Sequence, residues 1–279
     1  MTNGPSGIGS PRLNAGWRAR NFGRPISRSE DPLTPNPILK VLSSMRAHRV
    51  HALLMGGQAC VFYGAAEFSR DVDFAILADA ANVSRLRGAL KDLQAAVIAV
   101  PAFSLRHLRA GHAVHFRCQH PDALRMRVDV MSTLRGVDPF SKLWKRRSSL
   151  ELPDGIRCDL LSLPDLVQAK KTQQDKDWPM IRRLVEANYF QNVAKPNADQ
   201  IRFWFRELRT TDLLLELAHQ YSAVCRRLKS GRPLLAHAER QDLAGVESGL
   251  AVEEATERGK DRAYWLPLRK ELEDLRHAR

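Results

Sequence analysis

Asp71 and Asp73 stand two residues apart in Asp71-Val72-Asp73-Phe74-Ala75-Ile76-Leu77, a segment in which polar and apolar residues alternate. A period of two is the pattern of a half-buried strand. Both carboxylates therefore leave one face, a few ångström apart, while Val72, Phe74 and Ile76 point to the other. Unpaired carboxylates at that spacing repel, and burying them is costly. A divalent cation, Mg²⁺ or Mn²⁺, relieves both penalties, because hard cations take carboxylate oxygens together with substrate phosphates. A third carboxylate, Asp129, falls on the polar face of Arg125–Met131, where Met126, Val128 and Val130 form the apolar face. If the two strands are neighbours, three carboxylates converge. Two cations about 3.5–4 Å apart could then clamp the attacking and leaving oxygens of an in-line phosphoryl displacement.

A glycine pair, Gly56–Gly57, follows the short apolar run His51–Met55 and precedes Gln58–Tyr63. The run reads as a buried strand and the segment after it as a helix. Glycines at such a junction let a backbone approach a ligand closely. The amide groups that open the helix, including that of Gln58, then point at phosphate oxygens.

The elements that must position these groups are legible in outline. Pro37 after Asn36 opens a helix through Ile38, Leu39, Val41, Leu42 and Met45. Residues 82–94 carry Val83, Leu86, Leu90 and Leu93 at helical spacing, and 97–100 and 113–118 read as further strands. From about residue 160 the texture changes. Ser162-Leu163-Pro164-Asp165 has capping-box spacing, and helical periodicity recurs in 179–190, 199–229 and 263–275. The fold class expected is α+β, a mixed sheet followed by a C-terminal helical region. The domains expected are a disordered basic tail over 1–36, a catalytic domain over 37–160 and a helical domain over 161–279.

Leu54-Met55-Gly56-Gly57-Gln58-Ala59, then Gly64, then Ser69-Arg70-Asp71-Val72-Asp73-Phe74, resembles the signature of the DNA polymerase beta-type nucleotidyltransferases. The nearest branch is the minimal and abortive-infection type, which includes toxins of toxin–antitoxin pairs. The resemblance covers residues 50–190. It implies a nucleotidyltransferase fold, Asp71, Asp73 and Asp129 as catalytic metal ligands, and a nucleoside triphosphate as substrate. Gly56, Gly57, Gln58 and Ser69 would hold the nucleotide, together with a lysine from Asp165-Leu166-Val167-Gln168-Ala169-Lys170. Lys171 stands beside Lys170, but Lys170 shares a helical face with Leu163 and Leu166. The resemblance also implies an RNA acceptor such as a tRNA 3′ end, and a cognate antitoxin protein as partner. Glu67, Ser69, Gly57 and Gln174 depart from the residues that relatives often carry there, namely Arg, Thr, Ser and Arg. Two other readings stay open: nucleotidylation of a small molecule or a protein, and a non-catalytic nucleotide- or nucleic-acid-binding module.

Several residues carry two readings each. Asp129 is either a ligand or the partner of a neighbouring arginine. Asp177 is either the acid of a Lys176–Asp177 pair seen in relatives or a helix N-cap before Trp178–Pro179. Lys142, Lys145, Arg146 and Arg147 either contact phosphates or form a solvated face. Trp204 and its phenylalanine neighbours read as core ahead of base-stacking platforms. His107, His112, His115 and His120 lack ligand spacing and read as ordinary histidines.

Lys and Arg number 44 against 31 Asp and Glu, a formal charge of +13 that favours polyanionic partners. The four cysteines form no knuckle or dense disulfide pattern, which fits a reducing, cytoplasmic setting. No segment has the length and apolarity of a membrane span, so no membrane partner is expected.

Overall fold

The computed structural model describes residues 37–152 and 155–278. The expected basic tail over 1–36, with its Asn36 cap, lies outside the described residues.

The chain runs α1 (Pro37–Ala47), β1 (Ala52–Met55), α2 (Gly56–Phe62), β2 (Asp71–Ile76), α3 (Ala80–Asp92), β3 (Ala96–Val97), α4 (Leu105–Ala110), β4 (Val114–Arg117) and β5 (Arg127–Met131). It continues through α5 (Phe140–Lys145), β6 (Ser148–Glu151), β7 (Arg157–Leu160), α6 (Leu163–Ala169), α7 (Asp177–Asn192), α8 (Ala198–Glu207), α9 (Thr211–Gln220), α10 (Ser222–Leu228), α11 (Leu235–Glu239) and α12 (Leu243–His277). The protein is thus mixed α+β, with a seven-stranded sheet and a C-terminal helical region. Strand order is β3-β4-β5-β2-β1-β7-β6. The β2–β5 and β1–β7 pairs are parallel, and the other neighbours are antiparallel.

Burial explains the strand patterns. All four residues of β1 are buried, as expected of a strand that reads as a continuous apolar run. In β2, Val72, Phe74 and Ile76 are buried while Asp71 and Asp73 are half-buried. In β5, Val128 and Val130 are buried and Asp129 is half-buried. The alternation read from the sequence is realised at the aspartates, which share the more accessible face, while Ala75 farther along that face of β2 is buried.

The strand expected over 97–100 is shorter, at Ala96–Val97. Its last contact with β4 is the Ile98 N–H donating to the His115 carbonyl at 3.0 Å, beyond which the chain leaves the sheet edge. α12 begins twenty residues before the periodic segment at 263–275. Gly245, Gly249 and Gly259 lower helix propensity across that stretch, and at Gly249 a Cβ would lie 2.5 Å from Leu234 Cβ, so close packing excludes a side chain. Periodicity over 199–229 resolves into α8, α9 and α10, with Trp204 and Phe205 fully buried as core. The four cysteines are free and buried, and among the described residues no helix is long and apolar enough to cross a membrane.

Candidate functional site

Register brings the aspartates together. β2 and β5 run parallel with Asp73 opposite Asp129 and Asp71 opposite Arg127. β1 runs antiparallel to β2 with Met55 opposite Asp73. The turn that follows Met55 therefore lands on Asp73.

That turn requires glycine. Gly56 has φ +66°, and a Cβ there would sit 1.9 Å from Asp73 Oδ2. At Gly57 a Cβ would lie 2.6 Å from Ser69 Oγ. The Gly57 backbone lies close enough to the Asp73 carboxylate to favour its charged form slightly. α2 begins at Gly56, two residues earlier than expected. Gln58, in its first turn, is buried, and its Oε1 accepts no hydrogen bond among the described residues. Ser69 has a local role: its hydroxyl donates to the Asp71 carbonyl at 2.9 Å, shaping the entry to β2.

Electrostatics single out Asp73. Burial, then repulsion from Asp129 and Asp71, pushes its carboxyl up to about 6. Asp129 is treated differently. Its Oδ1 accepts from Arg127 Nε at 2.8 Å and lies 2.9 Å from His115 Nδ1. Burial alone would raise its pKa, but the hydrogen bonds from His115 and Arg127 outweigh it and hold the carboxyl below its ordinary value. Both readings of Asp129 thus meet in one residue: it stands beside Asp73, and it is engaged by an arginine. His115 is an addition that spacing could not supply. It is brought opposite Asp129 by the antiparallel β4–β5 pairing.

Lys170 and Lys171 part company. Lys170 caps α6 and bonds to Asp177 Oδ1 at 2.9 Å. Burial would lower the pKa of its ammonium, but Asp177, Cys60 and Asp73 raise it above its ordinary value. Lys170 therefore lies within the electrostatic reach of Asp73. Lys171 pairs with Glu207 at 2.8 Å instead. Asp177 is no N-cap. It is the first residue of α7, buried, and accepts from Lys170 and from Thr172 Oγ1 at 2.6 Å.

Of the basic residues at 142–147, Lys142 and Lys145 are exposed, while the two arginines are paired internally. Arg146 bridges Asp138 and Asp165, and Arg147 pairs with Asp159 at 3.0 Å. His107 bonds to the Ala102 carbonyl, and His112 lies 2.9 Å from Glu271. Ser162 caps α6 as expected.

The arrangement suits a hard divalent cation. Its donors are carboxylate oxygens from two adjacent strands. Asp73 carries an unneutralised repulsion that a cation would remove, and glycine keeps clear the space beside Asp73 Oδ2 that a Cβ would fill. The ligands are not gathered in advance: among the described residues no group of three or more His, Cys, Asp or Glu stands ready to hold a metal. Asp129 is engaged by Arg127 instead. No protein-family model matches this chain, and no curated protein matches it.

Proposed function

We propose that this chain is a Mg²⁺- or Mn²⁺-dependent nucleotidyltransferase on the nucleotidyltransferase fold, moving a nucleoside monophosphate from a triphosphate to an acceptor hydroxyl. One observation carries the reading. The β1–β2–β5 register sets Asp73 beside Asp129, with Asp71 two residues earlier on β2, and lays the Gly56–Gly57 turn against Asp73. Carboxylates beside a helix-opening glycine turn are the two halves of a metal-triphosphate site.

Asp71, Asp73 and Asp129 would hold the cation, which when bound neutralises charge on the triphosphate and polarises the reacting phosphoryl group. Gly56, Gly57 and the Gln58 amide orient the triphosphate. Lys170, fixed by Asp177, adds a positive charge near Asp73. The acceptor oxygen bonds to the α-phosphorus, the bond to the β-phosphate oxygen breaks, pyrophosphate leaves, and the hydroxyl proton passes to Asp129 or solvent. The charge of +13 favours a polyanionic acceptor such as RNA, and the family resemblance suggests a tRNA 3′ hydroxyl as the first candidate and an antitoxin protein as the partner that would silence it.

Incubation of the protein with each α-labelled triphosphate, Mg²⁺ and total RNA is expected to transfer label to RNA. Asp71→Asn/Asp73→Asn should abolish that transfer while leaving the fold intact. Label moved to a small molecule or a protein would redirect the acceptor. If no label moves to any of them, the enzyme reading fails and a non-catalytic nucleotide-binding module is left.

A further inference from the structure

A cleft of about 1000 Å³ opens in the helical region between α7, α8, α10, α11 and α12, and it includes none of the three aspartates. Its lining holds six Lys and Arg side chains against three glutamates. The glutamates are already neutralised. Glu207 pairs with Lys171 at 2.8 Å, Glu253 with Arg232 at 2.9 Å and Arg209 at 3.3 Å, and Glu257 with Arg135 at 3.0 Å and Lys260 at 2.9 Å.

Two lining cations remain. Arg206 and Arg227 are exposed and have no hydrogen bond or ion pair among the described residues. They sit in the last turns of α8 and α10, helices that pack against each other. Two guanidinium groups left unpaired at one cleft, its carboxylates all occupied, make a local excess of positive charge. Arginine's planar fork matches the oxygens of a phosphate. The aromatic lining offers no stacking platform: Phe205 is fully buried, and Trp178 is buried with Arg209 4.7 Å over its ring. Recognition here reads phosphate rather than base.

We infer that this cleft is a second anion site, taking a phosphate-bearing ligand between Arg206 and Arg227. The ligand is a phosphorylated small molecule or a stretch of phosphodiester chain. The inference does not depend on transfer chemistry at the aspartates.

Calorimetric titration in EDTA with inorganic tripolyphosphate, and separately with a short single-stranded homopolymer, tests it. At least one probe should bind. Arg206→Ala and Arg227→Ala should each weaken that binding about tenfold, the factor a charge-assisted hydrogen bond carries. Unchanged melting temperatures are expected, since neither side chain has an internal partner. Tripolyphosphate binding alone assigns a small phosphorylated ligand, while homopolymer binding with a steep salt dependence assigns a nucleic-acid chain. Lys170→Met/Asp177→Leu, which removes the lysine without stranding a buried carboxylate, and Asp71→Asn/Asp73→Asn should leave the cleft's binding intact, which separates this site from the triphosphate cradle. The inference is overturned if neither probe binds, if binding persists in Arg206→Ala/Arg227→Ala, or if Lys170→Met/Asp177→Leu alone removes it. Tighter binding of an acidic peptide than of either phosphate probe also overturns it.

Discussion

Asp73→Asn is expected to stabilise the metal-free protein at pH 7.5 and to remove its stabilisation by Mg²⁺ or Mn²⁺. The sign follows from the Asp73 carboxyl, whose ordinary value of 3.8 is pushed up to about 6 in the fold. The folded state binds the proton more tightly than the unfolded state. Between those two values stability falls as pH rises, and above about 6 the ionised carboxylate costs on the order of 3 kcal/mol. Asparagine removes the charge and nearly keeps the shape of the side chain. The variant should melt several degrees higher at pH 7.5 in EDTA, and the difference should vanish near pH 4. Adding Mn²⁺ at pH 7.5 should raise the melting temperature of the unmodified protein but not that of the variant, since only a bound ligand stabilises by mass action. At pH 5 the metal effect should shrink, because protons compete for Asp73. Equal stability of the two proteins at pH 7.5 in EDTA would mean that Asp73 carries no such penalty.

The Lys170–Asp177 pair should be the most sensitive contact around the site. Both side chains are largely removed from water, at 14% and 10% exposure. Asp177→Ala leaves a buried ammonium without its counter-ion and takes away the acceptor of the Thr172 hydroxyl. A loss of roughly 3–5 kcal/mol in denaturant unfolding is expected. Lys170→Met/Asp177→Leu should recover much of it, because an apolar pair avoids the desolvation that the ion pair bears. A loss below about 1 kcal/mol for Asp177→Ala would place the pair among ordinary surface contacts.

How much of this was legible depends on whether the cause is local. The alternation of β2 and β5 was readable because each strand has one apolar face, and the Ser162 cap because its partner lies three residues away. The glycine pair signalled a turn, but its close approach to Asp73 depends on the β1–β2 register. β6 and β7 were not anticipated. Ser148–Glu151 is an edge strand with no fully buried residue, and its polar composition carries no hydrophobic period. The role of Asp177 was hidden for a related reason. A carboxylate at a helix start reads as a cap, and only the turn after α6 swings Lys170 onto it. His115 reaches Asp129 through pairing of β4 with β5, which no spacing rule supplies. The cleft between the C-terminal helices is a tertiary feature entirely, since its free arginines are distinguished only by which neighbours found partners.

The proposed metal-triphosphate site joins Asp71, Asp73 and Asp129 to the Gly56–Gly57 turn. Anomalous diffraction from crystals grown with Mn²⁺ and a non-hydrolysable triphosphate analogue tests it most directly. A manganese peak is expected on the Asp71 and Asp73 carboxylates, with phosphate oxygens against the amides of Gly56, Gly57 and Gln58, and Arg127 drawn away from Asp129. An analogue bound with no manganese at Asp71 or Asp73, or bound away from the glycine turn, would contradict it.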